Sequence, residues 1–151
     1  LNEIQYFEKF EGTFDQGVGE QDDFSAALEF IAGHYPELPI WPAGMSFGSW
    51  VGLTVGARHP KVSALIGIAM PVSRYDFSAV RDCTTPKFLV HGERDEVTSV
   101  REVRAFYAQA AEPKELVVID GADHVFDGRV GEVGDAIEEL LADWPEGVGR
   151  K

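Results

Sequence analysis

Three short segments of this chain carry, in order, a hydroxyl, a carboxylate and an imidazole. The first reads Gly44-Met45-Ser46-Phe47-Gly48, a G-x-S-x-G pattern. A serine hydroxyl is a weak nucleophile until a neighbouring base takes its proton. Glycines on either side leave room for a sharp strand-to-helix turn that exposes such a hydroxyl. The helix that follows aims its first backbone N–H groups and partial positive charge at the site. On this reading Ser46 is a nucleophile and the Phe47 N–H is one donor to a developing oxyanion. The pattern arises by chance only ~0.1 times in a chain with this much glycine, so it carries weight without deciding the matter.

The second segment reads His91-Gly92-Glu93-Arg94-Asp95-Glu96-Val97. A carboxylate here can orient a catalytic histidine. Asp95 is the choice, because Gly92 turns the chain and Asp95 then stands just ahead of a capped helix. Glu93 and Glu96 are its rivals. The third segment reads Asp120-Gly121-Ala122-Asp123-His124-Val125-Phe126 and offers His124 as the general base. Asp123 is an alternative acid, but adjacent residues rarely face each other. Of the other histidines, His34 and His59 stand at predicted helix ends near prolines, where capping or exposed roles are expected. His91 ends a strand and is expected to be a buried polar group bonded to backbone. A base on His124 would take the Ser46 proton, while Asp95 holds the ring tautomer and stabilises the imidazolium.

The elements that must position these residues alternate between two periodicities. Phe24, Ala27, Leu28 and Ile31 recur at helical spacing, with Asp22 or Asp23 as cap and Gly33 as stop. Leu38 to Ala43 reads as a strand, although Pro42 inside it cannot donate to a ladder. Gly48 to Arg58 reads as a helix whose Gly48, Gly52 and Gly56 allow close packing on a sheet. Val62 to Met70 and Lys87 to His91 are apolar runs that fit strands buried on both faces. Ser99 and Glu102 form a capping box, and Val103, Phe106, Tyr107 and Ala110 make one face of the helix it opens. Glu115 to Asp120 reads as a fourth strand. Val130, Val133, Ile137, Leu140, Leu141 and Trp144 line a last helix, which Pro145 ends. Strand–helix alternation of this kind predicts a parallel sheet with helices on both faces. Ligands of such sheets bind beyond the C-terminal ends of the strands, where all three segments lie.

Bulk properties narrow the function. The chain has 151 residues, 44% of them hydrophobic and 26% charged, as a single globular domain would. Thirteen basic against 26 acidic residues give a formal charge of −13, which disfavours nucleic acid and anionic membranes as partners. Cys83 is the single cysteine, so neither an internal disulfide framework nor a multi-cysteine zinc site is expected. A cytoplasmic protein without metal or cofactor is the expectation.

The Ser46…Asp95…His124 order resembles that of the α/β-hydrolases. Three stretches carry the resemblance: Ala43 to Gly48, His91 to Val97, and Gly121 to His124. Glu11 to Asp22 is also similar to the segment before the elbow in small, capless bacterial members related to dienelactone hydrolases and esterases. The resemblance spans roughly Asp22 to Trp144 and implies an α/β-hydrolase fold over residues 1–151, with 1–20 an irregular lead-in. It implies a serine hydrolase acting on carboxylic esters of small molecules, with thioesterase, peptidase, acyltransferase or non-catalytic binding module as alternatives. The stretch from Pro71 to Thr85 is too short for a large cap. The family normally opens with about four strands before the elbow, and its second oxyanion donor comes from a loop after the third strand. Since the sequence starts at Leu1 rather than Met, the expectation is an N-terminal segment upstream, or a second copy of the chain, covering the edge of the elbow strand.

Overall fold

The apolar runs pair side by side. In the computed structural model, which describes residues 15–142, four strands form one parallel sheet in the order β1-β2-β3-β4. They are β1 (Ala43–Met45), β2 (Leu65–Ile68), β3 (Lys87–Gly92) and β4 (Lys114–Ile119). Around them stand α1 (Val18–His34), α2 (Phe47–Gly56), α3 (Ser78–Asp82), α4 (Val100–Gln109) and α5 (Val130–Ala142). The register sets Ala43 beside Ile66, Ile68 beside Val90 and Gly92 beside Ile119, so strand ends and following loops gather on one side.

Because side chains alternate across a strand, each strand feeds two cores. Leu65 and Leu89 face one core, with Leu53 of α2, Phe77 and Val80 around α3, and Leu28 of α1. Ile66, Phe88, Val90 and Ile119 face the other, closed by Val133, Ala136 and Leu140 of α5. Every residue of β3 is buried, as a strand flanked by neighbours and covered on both faces must be. Burial of one leucine such as Leu89 contributes about 1.5–3 kcal/mol.

Several elements depart from the sequence expectation. Helix α1 starts at Val18 rather than after Asp22, within the stretch expected to be irregular. Gly17 begins it with φ 96°, and both oxygens of the Asp15 carboxylate accept from the Gly19 N–H. Its buried positions are Leu28 and Ala32, with Phe24 packed against them, whereas Ala27 and Ile31 are exposed. The run from Leu38 yields a single bridge, Ile40 to Val62, before β1 begins at Ala43. Pro42 thus precedes the strand, and its carbonyl still accepts from the Ile66 N–H at 2.9 Å. Among the glycines of α2, only Gly56 meets the sheet side, where a Cβ would come within 2.9 Å of Leu65 and Pro42. Gly52 faces the Phe24 ring of α1, and a Cβ on Gly48 would meet nothing within 4 Å. Strand β2 is shorter than the apolar run at both ends: Val62 makes only the isolated bridge to Ile40, and after Ile68 the backbone turns at Ala69, which has φ 48°. The capping box of α4 forms as expected. In α5 the buried stripe runs through Val133, Ala136 and Leu140, while Val130 and Leu141 are exposed; Trp144 and Pro145 lie outside the described residues.

At the opposite end of the sheet from the loops, Lys87 is fully buried. Its ammonium donates to the carbonyls of Cys83 at 2.9 Å and Ala111 at 2.7 Å. Burial lowers its pKa below the ordinary lysine value.

Candidate active site

Ser46 occupies the turn between β1 and α2 with φ 50° and ψ −125°. A non-glycine residue at positive φ is strained, and such strain persists only where the surroundings enforce it. Two contacts enforce it here. The Ser46 N–H donates to the Ile68 carbonyl at 2.9 Å, anchoring the turn to β2. Gly44 lies so close under the first turn of α2 that a Cβ there would strike the Gly48 carbonyl and come within 2.7 Å of Ser49 Cα. Glycine at position 44 is therefore a steric requirement of the elbow. Phe47, the proposed oxyanion donor, is the first residue of α2.

Asp95 sits in the loop after β3 and is 6% exposed. Its Oδ1 accepts from the N–H groups of Val97 at 2.8 Å and Thr98 at 2.9 Å. Its Oδ2 lies 2.8 Å from His124 Nδ1. Burial pushes this carboxyl upward, yet the Thr98 N–H, the His124 ring and the Val97 N–H together outweigh it and hold the group below the ordinary aspartate value.

His124 follows β4 and is 9% exposed. Its Nε2 lies 2.8 Å from Ser46 Oγ. With Nδ1–H donating to Asp95, Nε2 carries the lone pair and accepts from the Ser46 hydroxyl; this tautomer is assigned from the hydrogen-bond pattern. The structure therefore brings Ser46, His124 and Asp95 into one hydrogen-bonded line, although 78 residues separate the first two in sequence. That line is the geometry of a nucleophile, a base and the carboxylate that orients the base.

The rival carboxylates have other partners. Glu93 Oε2 accepts from the Gly121 N–H at 2.8 Å, and Glu96 Oε2 accepts from the His124 N–H at 3.1 Å. Asp123 Oδ1 accepts from Val125 at 3.1 Å and Asp127 at 3.0 Å, shaping its own loop. His91 is fully buried, donates from Nε2 to the Thr98 carbonyl at 2.8 Å, and stands 3.5 Å from Asp95 Oδ2. His34 contacts the Phe30 carbonyl at 3.0 Å in the last turn of α1, as a capping role requires. His59 pairs with Glu29 at 3.0 Å.

Sequence reasoning missed an aromatic group on the same side of the sheet. Phe47 and Trp50 of α2 meet Tyr75, with Trp50 and Tyr75 stacked at 4.7 Å and Phe47 edge-on to Tyr75 at 5.7 Å. The Trp50 indole donates to the Asp76 carbonyl at 3.1 Å, tying the loop after β2 to α2. The spacing of Phe47 and Trp50 was visible, but Tyr75 joins them only through the fold. Among the described residues no group of three or more His, Cys, Asp or Glu side chains could hold a metal ion. No helix among them is long and apolar enough to cross a membrane.

Comparison with known proteins agrees with this architecture. The chain has the α/β-hydrolase fold. A solved alpha-beta serine hydrolase homologue from Coxiella burnetii superposes with a TM-score of 0.80 at 37% identity, over 87% of this chain and 64% of that one. An α/β serine hydrolase without lid from Xanthomonas campestris gives a TM-score of 0.80 at 30% identity, over 90% of this chain and 62% of that one. An uncharacterized protein of Rickettsia prowazekii is 31% identical over a 140-residue alignment that covers 87% of this chain and 59% of that protein. The chain thus spans less than two thirds of the length of each of these relatives. No protein-family model matches it.

Proposed function

We propose that this chain, as one α/β-hydrolase domain over residues 1–151, is a serine hydrolase that cleaves carboxylic esters of small molecules. The observation that carries the reading is the pair of 2.8 Å hydrogen bonds linking Ser46 to His124 and His124 to Asp95, with the serine on a strained elbow. The likeness to serine hydrolases from Coxiella burnetii and Xanthomonas campestris supports it.

In the first half-reaction, Ser46 Oγ attacks the ester carbonyl carbon while its proton passes to His124 Nε2. The carbonyl oxygen becomes an oxyanion that accepts from the Phe47 N–H at the positive end of α2. Asp95 stabilises the imidazolium so formed. The tetrahedral intermediate expels the alkoxide, which takes the proton from His124, and an acyl-enzyme on Ser46 remains. Water then gives its proton to His124 and attacks the acyl carbon, and Ser46 regains its proton as the acid departs. The connection from β2 to β3 holds only the short α3, which suits an open site and small esters.

A nitrophenyl ester of a short acid tests the sequence of steps. The expected result is a burst of nitrophenolate stoichiometric with protein, absent in Ser46→Ala. A burst of equal size in Ser46→Ala would contradict the assignment.

A further inference from the structure

The two carboxylates that rivalled Asp95 in the sequence have a common geometry in the fold. Both leave the loop after β3 and both accept a backbone N–H from the loop after β4. Backbone bonds run the other way between the same loops: the Glu93 N–H donates to the Ile119 carbonyl at 3.0 Å, and the Arg94 N–H to the Ala122 carbonyl at 2.8 Å. The loops are also packed too tightly for a side chain at position 92. A Cβ on Gly92 would come within 2.5 Å of the Ala122 carbonyl and 2.6 Å of the Asp123 carbonyl. The loop that bears the acid and the loop that bears the base are therefore fastened to each other.

We infer that Glu96 is a positioning residue for His124: its carboxylate holds the backbone N–H of the base and so fixes where the imidazole stands between Ser46 and Asp95. This rests on the serine-hydrolase reading of the same site. Two features single out Glu96. Its bond falls on the backbone of residue 124 itself, whereas that of Glu93 falls three residues earlier. The bond adds a second tie between the two loops at the one residue whose ring must satisfy two partners at 2.8 Å each. Glu96 is exposed, so its removal leaves the buried cores intact. It touches no reacting atom. It acts through His124 alone, and a displacement near 1 Å in such a group lowers turnover about a hundredfold.

The test compares Glu96→Gln, which keeps a carbonyl acceptor, with Glu96→Ala, which does not. Two readouts are taken on the full chain. The first is the NMR signal of the proton shared by His124 Nδ1 and Asp95, which reports the ring's position whether or not the protein turns over ester. Expected is a sharp downfield signal in wild type and Glu96→Gln that broadens or vanishes in Glu96→Ala at unchanged melting temperature. The second is steady-state ester hydrolysis. Expected is a kcat lowered at least about tenfold in Glu96→Ala with KM little changed, and recovery to within about threefold in Glu96→Gln. Glu93→Ala, expected to alter both readouts less, serves as the control for a loop tie that does not end on His124. An unchanged signal and kcat in Glu96→Ala, or losses in Glu96→Gln or Glu93→Ala as large as those in Glu96→Ala, would overturn the inference. If no variant and no wild-type protein hydrolyses esters while the proton signal still responds as expected, the positioning role stands and the hydrolase reading fails.

Discussion

The proposed nucleophile and the proposed acid–base pair stand on two differently built parts of the sheet. Asp95 and His124 follow β3 and β4, which are six residues each and paired along their whole length. Ser46 follows β1, which has three residues, two of them exposed, and pairs with β2 alone among the described residues. Asp95 and His124 are thus held by long-range pairing and by hydrogen bonds between loops. Ser46 is held by a positive φ, one anchor to Ile68, and contact of Gly44 with the first turn of α2. The hydrogen-bonded line from Ser46 to Asp95 is thus set by collective pairing at one end and by steric constraint at the other.

The largest expected effects come from the well-buttressed end. His124→Ala and Asp95→Asn are each expected to lower ester turnover by about 10⁴-fold or more, while circular dichroism shows the fold retained. Turnover within tenfold of wild type in either variant would show that the line of hydrogen bonds is not the working one. Next comes the locally held end. Gly44→Ala inserts a Cβ against the backbone of Gly48 and Ser49, which cannot move aside as a side chain can. It is expected to cost about 1–3 kcal/mol in chemical denaturation and to lower turnover disproportionately, because the elbow itself shifts. A Gly44→Ala protein of wild-type stability and activity would show that the nucleophile does not depend on that contact.

Acid stability separates the two ends again. The folded-state pKa of Asp95 is depressed below its ordinary value. A depressed carboxylate stabilises the fold above its unfolded pKa, near 4, and that contribution is lost as pH falls through the lower, folded value. Wild type should therefore lose more stability between neutral pH and acid than Asp95→Asn does. Ser46→Ala removes no titrating group and should follow the wild-type slope. Parallel slopes for wild type and Asp95→Asn, read from melting temperature against pH, would contradict the depressed pKa. The smallest effect lies away from both ends. Ser99→Ala removes the capping box of α4 and should cost about 1 kcal/mol with little change in turnover, since α4 supports the sheet rather than the line.

What the sequence revealed follows the same division. The four strands were legible because central strands of a parallel sheet are apolar on both faces, as Phe88-Leu89-Val90 and Leu116-Val117-Val118-Ile119 are. Ser46, Asp95 and His124 were legible as candidates because each lies just beyond such a strand, in a segment of distinctive residue types, and the fold brings the three into one hydrogen-bonded line. The start of α1 was not. Its first turns are polar, and the Asp15 carboxylate on Gly19 together with Gly17 at φ 96° replaces the usual cap. The length of β1 was obscured by Pro42, which keeps an acceptor role while lying outside the strand. The roles of Glu93 and Glu96 were out of reach for a different reason. Each bond joins residues 28 positions apart, and no local pattern encodes which loop meets which.

The central claim is that Ser46 is a nucleophile activated through His124 by Asp95. Its most direct measurement is covalent labelling with a fluorophosphonate, read by intact mass and by the labelled peptide. The account predicts one adduct per wild-type chain, located on Ser46, with no label on Ser46→Ala and greatly slowed labelling of His124→Ala. Equal labelling of wild type and Ser46→Ala, or no labelling of either, would contradict it.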